Sequence, residues 1–271
     1  MNQARTTNIV TRDIDCADGL PAFVAHPADG RHPVVVLMHE RYGLVQHTRD
    51  LAMRCARDGF YAIAPNYFYK HPDQKALNSG AARYDLSDPE SVNYTTAALA
   101  AIARDPAANS DRIAVVGFCQ TGRHPLVFAA GVPISAVGVW YGAVYPHEWT
   151  ASTLYPRPLE PVIAGVNCPV FGAFGSRDHM ISIADIRRFR DVLEAHGKSY
   201  DIHIYPGAPH GWLNDTMPGR YRREQAEAAW ADQLRFLSRV LVDGNVGTNI
   251  GQSFAAEIER DYDFSKNVRL E

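Results

Sequence analysis

No apolar stretch of this chain approaches the roughly 20 residues that a bilayer-spanning helix needs. The first residues, Met1-Asn2-Gln3-Ala4-Arg5-Thr6-Thr7, lack the apolar core of a secretory leader. Cysteine is scarce: Cys16, Cys55, Cys119 and Cys168 are the only four, and no two form a CxxC pair. That scatter argues against a disulfide framework and for free thiols in a reducing cytoplasm. Charge of one sign is lacking as well. A formal net charge of −3 leaves no basic stripe for nucleic acid and no polybasic membrane anchor. No pair of His or Cys stands at zinc-ligand spacing, so no metal site is expected. Repeats and low-complexity tracts are missing too, because the 20 glycines and 17 prolines are spread through turns.

What is present is a globular composition, 46% hydrophobic and 21% charged, on 271 residues, which fits one large α/β domain over residues 1–242. Short apolar runs alternate with helical patterns, the mark of βαβ units and a mostly parallel sheet with helices on both faces. Strands are expected at Val34–His39, Phe60–Pro65, Ile113–Gly117, Ala136–Tyr141, Pro169–Gly175 and Asp201–Tyr205. Helices are expected at 48–58, 91–103, 183–196 and 225–240, the first stopped by Gly59. Residues 66–89 read as a polar, lid-like loop. A second excursion, 144–163, carries Pro146, Pro156, Pro158 and Pro161. Residues 243–271 read as a polar tail packed on the body or on a partner subunit. The expected state is a monomer or a small homo-oligomer.

The chemistry concentrates at Asp111-Arg112-Ile113-Ala114-Val115-Val116-Gly117-Phe118-Cys119-Gln120-Thr121-Gly122. An apolar strand ends in glycine, turns through a cysteine and opens into a helix, the layout of a nucleophile elbow with sulfur in place of oxygen. In parallel sheets the site lies at the carboxyl ends of the strands. Asp178, in Gly175-Ser176-Arg177-Asp178-His179, and His210, in Pro206-Gly207-Ala208-Pro209-His210-Gly211, each follow a strand as well. Nucleophile, acid and histidine in that chain order match the α/β-hydrolase fold. A thiol with an ordinary pKa of about 8.5 is mostly protonated at neutral pH, so it needs a base within reach. His210 would take the proton and Asp178 would orient the imidazole. Each residue also has a plainer role open to it: a buried thiol, a helix cap for the helix near Ser182, one histidine among eleven.

His39-Glu40-Arg41-Tyr42-Gly43-Leu44 follows the Val34 strand, where such folds supply a second oxyanion-hole amide. The expected donors are the backbone N–H groups of Arg41 and Gln120. Glu40 would lie beside the elbow and disfavour the thiolate, or else pair with Arg41 or Arg49.

These segments together, His39 to Leu44, Gly117-Phe118-Cys119, the Asp178 turn and Pro209-His210-Gly211, resemble the dienelactone hydrolase family over about residues 15 to 242. The resemblance implies a cofactor-free cytoplasmic hydrolase that opens a small lactone, with Cys119, His210 and Asp178 as its triad. It also implies that the glutamate matching Glu40 contacts the resting thiol and helps release the thiolate.

Three positions depart from the family pattern. Thr121 stands where the first of the two glycines that usually continue the elbow is found, which predicts a looser strand–helix junction. Arg123, His124 and Pro125 interrupt a helix that is usually small and apolar, and Pro125 predicts a kink. Asn214, four residues after His210, stands where the lactone-opening relatives carry a carboxylate-binding arginine. Arg83, with Tyr84 beside it, matches the other such arginine. Arg123 would reach the pocket or remain an ion-paired helix residue. Tyr42, Phe118, Trp140, Tyr141 and Trp212 are candidates for an apolar pocket wall or for core packing. The expected ligand is a small lactone or ester, with or without a carboxylate. Two rivals remain: a thioester or aryl-ester hydrolase with the same triad, and a non-catalytic binder on this fold.

Overall fold

The computed structural model describes residues 8–243 and 250–256. A nine-stranded sheet organises them: β1 (Ile9–Asp15), β2 (Pro21–Pro27), β3 (His32–Met38), β4 (Tyr61–Pro65), β5 (Ala108–Phe118), β6 (Ala136–Trp140), β7 (Val170–Gly175), β8 (Tyr200–Tyr205) and β9 (Gln252–Ala256), in the order β1-β2-β4-β3-β5-β6-β7-β8-β9. The β1–β2 and β2–β4 pairs are antiparallel and every other pair is parallel. The central strands are continuous apolar runs because both of their faces are covered. In β3, Val35 and Leu37 pack with helices α1 (Gln46–Arg57) and α7 (Arg223–Leu237), while Val34, Val36 and Met38 pack with α3 (Asp88–Ile102). Successive side chains of a strand point to opposite faces, so this alternation puts helices on both sides of the sheet. Two further helices, α4 (His124–Ala129) and α6 (Ile183–Ala195), share a third cluster with β6, β7 and β8.

Several boundaries differ from the sequence expectation. Helix α3 starts at Asp88, because Ser87 and Glu90 form a reciprocal capping box with Pro89 in the first turn. The lid-like stretch 66–89 therefore includes that start, and it also holds a short helix, α2 (Gln74–Ser79), capped by Asp73. The 144–163 excursion is partly helical, with a turn at Pro146–Trp149 and α5 from Leu159 to Gly165. The described part of the tail is not loose: β9 lies parallel to β8, with Tyr200 opposite Gln252 and Ile204 opposite Ala256. Tail residues 244–249 and 257–271 lie outside the described residues. Among those described, no helix is long and apolar enough to cross a membrane, and no group of three or more His, Cys, Asp or Glu could hold a metal ion.

Register decides which strand ends meet. Met38 of β3 is level with Gly117 of β5, and Phe118 is level with Trp140 of β6. The chain that leaves β3 through Glu40 therefore emerges beside the turn that carries Cys119.

Candidate active site

Cys119 follows β5 immediately and has φ of +55°, in the left-handed region that non-glycine residues seldom occupy. Strain of this kind persists only where the surroundings enforce it. Here the enforcement comes from a tight return of the chain. A Cβ on Gly117 would sit 2.5 Å from the Thr121 carbonyl oxygen and 2.9 Å from the Pro125 ring, so only glycine admits this turn.

Thr121 does not loosen the junction. Its hydroxyl is fully buried, accepts from the Phe118 N–H (3.1 Å), and lies 3.0, 2.9 and 3.1 Å from the carbonyl oxygens of Met38, His39 and Phe118. The hydroxyl thus ties the elbow to the end of β3, a connection that glycine could not make. Pro125 does not interrupt a helix either. Residues Cys119–Thr121 form a 3-10 turn and α4 begins at His124, so the proline occupies the first turn, where its missing N–H has no acceptor to leave unpaired.

The structure brings Cys119, His210 and Asp178 into one row. His210 Nε2 lies 3.0 Å from Cys119 Sγ, and His210 Nδ1 lies 2.8 Å from Asp178 Oδ2. The other carboxylate oxygen of Asp178 accepts the backbone N–H groups of Met180 (2.8 Å) and Ile181 (3.1 Å), which fixes its plane. The side chains of His210 and Asp178 are 2% and 1% exposed, so solvent screens their interaction little. The loops that carry them are held together at Gly175, where a Cβ would stand 2.1 Å from the Ala208 carbonyl oxygen, and by the Arg177 N–H donating to that oxygen at 3.1 Å. Burial alone would lower the His210 pKa. Hydrogen bonds to Asp178 and Cys119, with the charges on both, outweigh it and push the imidazole up to about 10. The ring therefore carries its second proton at neutral pH.

Glu40 is 6% exposed and fully engaged: Oε1 accepts from the Tyr141 hydroxyl (3.1 Å) and Oε2 from Asn214 Nδ2 (2.7 Å). It forms no ion pair among the described residues. Arg41 donates to the Gly80 carbonyl and Arg49 pairs with Asp13 at 2.7 Å. Asn214 therefore holds Glu40, which accounts for its burial at 1% exposure, and it does not line the cavity.

A cavity of about 280 Å³ opens over the sulfur and is lined by Glu40, Arg41, Tyr42, Arg83, Gln120 and His210, all named from the sequence or adjacent to its motifs. Other residues expected near substrate lie elsewhere. Arg123 is fully buried and spends its guanidinium on both oxygens of Asp88 (3.0 and 3.0 Å) and on the Glu148 and Arg157 carbonyls. Trp140 and Trp212 belong to the core beneath the site, with rings 5.5 Å apart, and Trp140 donates to Gln233. Phe118 packs there too, 5.8 Å from Trp140. The Tyr84 hydroxyl donates to Glu90, while its backbone carbonyl accepts from the Gln120 side chain.

The sequence reading missed Tyr145, His147, Glu148, Tyr155 and Arg220, which also line the cavity. The first four come from the proline-bearing excursion. The density of aromatic and titratable residues there was a usable signal, but strand periodicity could not assign them. The Tyr145 hydroxyl donates to the Tyr141 backbone carbonyl at 3.4 Å. Burial, followed by charge on Cys119, Glu148 and Asp178, raises its pKa well above the ordinary tyrosine value.

The model of the dienelactone hydrolase family matches residues 20–241. A protein of Methylorubrum extorquens named "Putative carboxymethylenebutenolidase" is 31% identical over 225 residues, covering 80% of this chain and 76% of that protein. A Bradyrhizobium protein named "Probable 2-oxo-3-(5-oxofuran-2-ylidene)propanoate lactonase" is 28% identical over 80% of this chain and 88% of its own length. The crystal structure of a protein described as a "Putative Dienelactone Hydrolase" from Klebsiella pneumoniae superposes with a TM-score of 0.77 at 26% identity, covering 86% of this chain and 99% of that one. The architecture is an α/β-hydrolase fold.

Proposed function

The chain belongs to the dienelactone hydrolase family, and on that premise we propose that it hydrolyses a small lactone or ester through an acyl-thioester on Cys119. The observation that carries the reading is the row Cys119 Sγ–His210–Asp178, with spacings of 3.0 and 2.8 Å, at the mouth of a cavity. The Cys119 thiolate attacks the substrate carbonyl and forms the C–S bond while the carbonyl electrons move onto oxygen. The first N–H groups of a helical turn have no partner within it, so the Gln120 amide, with that of Arg41, is suited to hold this oxyanion. Collapse expels the alcohol oxygen, which takes the proton from His210. In a lactone that oxygen stays attached to the acyl chain as its new hydroxyl. Water then gives a proton to His210 and attacks the thioester, and the thiolate leaves.

Mixing with p-nitrophenyl acetate should release a burst of nitrophenol equal to the enzyme present, with an acetyl group on the peptide that contains Cys119. Hydrolysis with the acetyl group on any other residue would remove the mechanism.

Glu40 supplies the control. Its carboxylate sits on the same cavity as the sulfur, and nearby negative charge disfavours a thiolate. Glu40→Gln should let iodoacetamide alkylate Cys119 faster while ester turnover falls. An unchanged alkylation rate and pH midpoint would exclude Glu40 from tuning the nucleophile.

Arg83 and Arg220 are cavity-lining cations suited to a substrate carboxylate. Arg83 is partly engaged by exposed Asp85 at 2.6 Å, so its pull is shared. Charge-assisted hydrogen bonds are roughly twice as strong as neutral ones, so a lactone acid should outcompete its methyl ester. Arg83→Ala and Arg220→Ala should each narrow that preference by raising KM for the acid. Equal kcat/KM for acid and ester in the unmodified enzyme would dismiss the clamp.

A further inference from the structure

The carboxyl groups lining the cavity are those of Glu40 and Glu148, and they stand in opposite circumstances. Both oxygens of Glu40 accept hydrogen bonds. Glu148 is 1% exposed, and its Oε2 has no hydrogen-bond partner among the described residues. The Arg123 guanidinium is engaged elsewhere: its Nε and Nη2 donate to Asp88, and its hydrogen bond to Glu148 goes to the backbone carbonyl. Buried polar groups are nearly always paired, so an unpaired oxygen on a residue that lines a cavity points to a partner that the protein itself does not supply.

Asp88 lies on α3, Arg123 and His124 at the start of α4, and Tyr145, His147 and Tyr155 on the excursion that carries Glu148 itself. Burial, opposed by the Arg123 charge and a backbone hydrogen bond from Tyr145 and aided by Asp88, pushes the Glu148 carboxyl up to about 8. It therefore keeps its proton at neutral pH and is a donor, unlike an ionised carboxylate, which can only accept. The Tyr145 hydroxyl feels charge from both Cys119 and Glu148, and all three residues line the same cavity.

We propose that Glu148 is a specificity-determining residue whose carboxyl hydrogen-bonds an uncharged acceptor oxygen, ether, hydroxyl or carbonyl, on the acyl portion of the substrate held at Cys119. The inference rests on the acyl-enzyme reading above. It concerns a different substrate feature from the carboxylate addressed by Arg83 and Arg220.

The test compares kcat/KM for two esters of equal length, p-nitrophenyl butyrate and p-nitrophenyl methoxyacetate, which differ by one CH2 replaced by oxygen. At pH 7 the methoxyacetate-to-butyrate ratio should fall about fivefold in Glu148→Leu, the worth of one hydrogen bond between uncharged groups, and hold in Glu148→Gln, whose amide still donates. The unmodified enzyme should lose its preference as pH rises through about 8, where the donor ionises, while the Gln variant keeps its own. A folded Leu variant with the original ratio overturns the proposal. If that variant does not fold, a ratio in the unmodified enzyme that is flat from pH 6 to 10 overturns it equally. Failure of the acyl-enzyme reading looks different: neither ester would be turned over faster than by Cys119→Ala, and this inference would fall with it.

Discussion

Cys119→Ala is expected to lower kcat/KM toward lactones and p-nitrophenyl esters by roughly 10⁴-fold or more, the cost of removing a covalent nucleophile whose partners act as a unit. The fold should survive, because the sulfur is only part-buried and its hydrogen bond to His210 is not shared with the elbow's own ties through Thr121. Alanine inherits the φ of +55°, so the strain at this position remains the same in kind. Circular dichroism and thermal melting of the variant should match the unmodified protein within a few degrees. Appreciable turnover by a well-folded alanine variant would mean that the bond-breaking step does not pass through this sulfur. The non-catalytic alternative is tested in the same experiment: a pure binding protein would show no turnover for the substitution to remove.

The second large effect concerns the imidazole. His210→Ala should cost nearly as much as loss of the thiol, because among the described residues the base hydrogen-bonded to the sulfur is His210. Asp178→Asn should be milder but still large, since the ring loses the partner that orients it. The pH profile carries the diagnostic part. His210 is held protonated up to about 10 by Asp178 and Cys119 in spite of burial. The protonated ring favours the thiolate and later protonates the leaving oxygen, so turnover should decline as pH rises through about 10. The same shift gives a stability term that is fully present below the ordinary histidine value of about 6.5 and is lost as pH rises through the folded value. Removing the Asp178 charge and hydrogen bond should move the alkaline limb to lower pH. If the limb in Asp178→Asn coincides with that of the unmodified enzyme, Asp178 does not set the ionisation of His210.

The rival substrate classes differ by rate with one set of residues. Thioester and aryl-ester hydrolysis would use the same sulfur and imidazole. The cavity cations Arg83 and Arg220 would favour an anionic substrate over a neutral one in any of these classes.

Much of this molecule was determined by its sequence alone. Strands β3, β5, β7 and β8 could be read because buried parallel strands are continuous apolar runs. The elbow and the acid and histidine turns could be read because each is a local sequence at a strand end, and the hydrolase chain order ties them together. Edge strands were harder: β1 mixes intermediate and exposed residues, and β9 is mostly exposed, so neither shows a buried apolar run. Tertiary structure alone decided the partners of the polar residues. Asn214 meets Glu40 across 174 positions of chain, Arg123 meets Asp88 across 35, and the Thr121 hydroxyl reaches the end of a strand more than 80 positions earlier. Hydrophobic periodicity reports which side of an element is buried. It says nothing about which hydrogen-bonding group waits there, because that depends on the register of strands far apart in the chain.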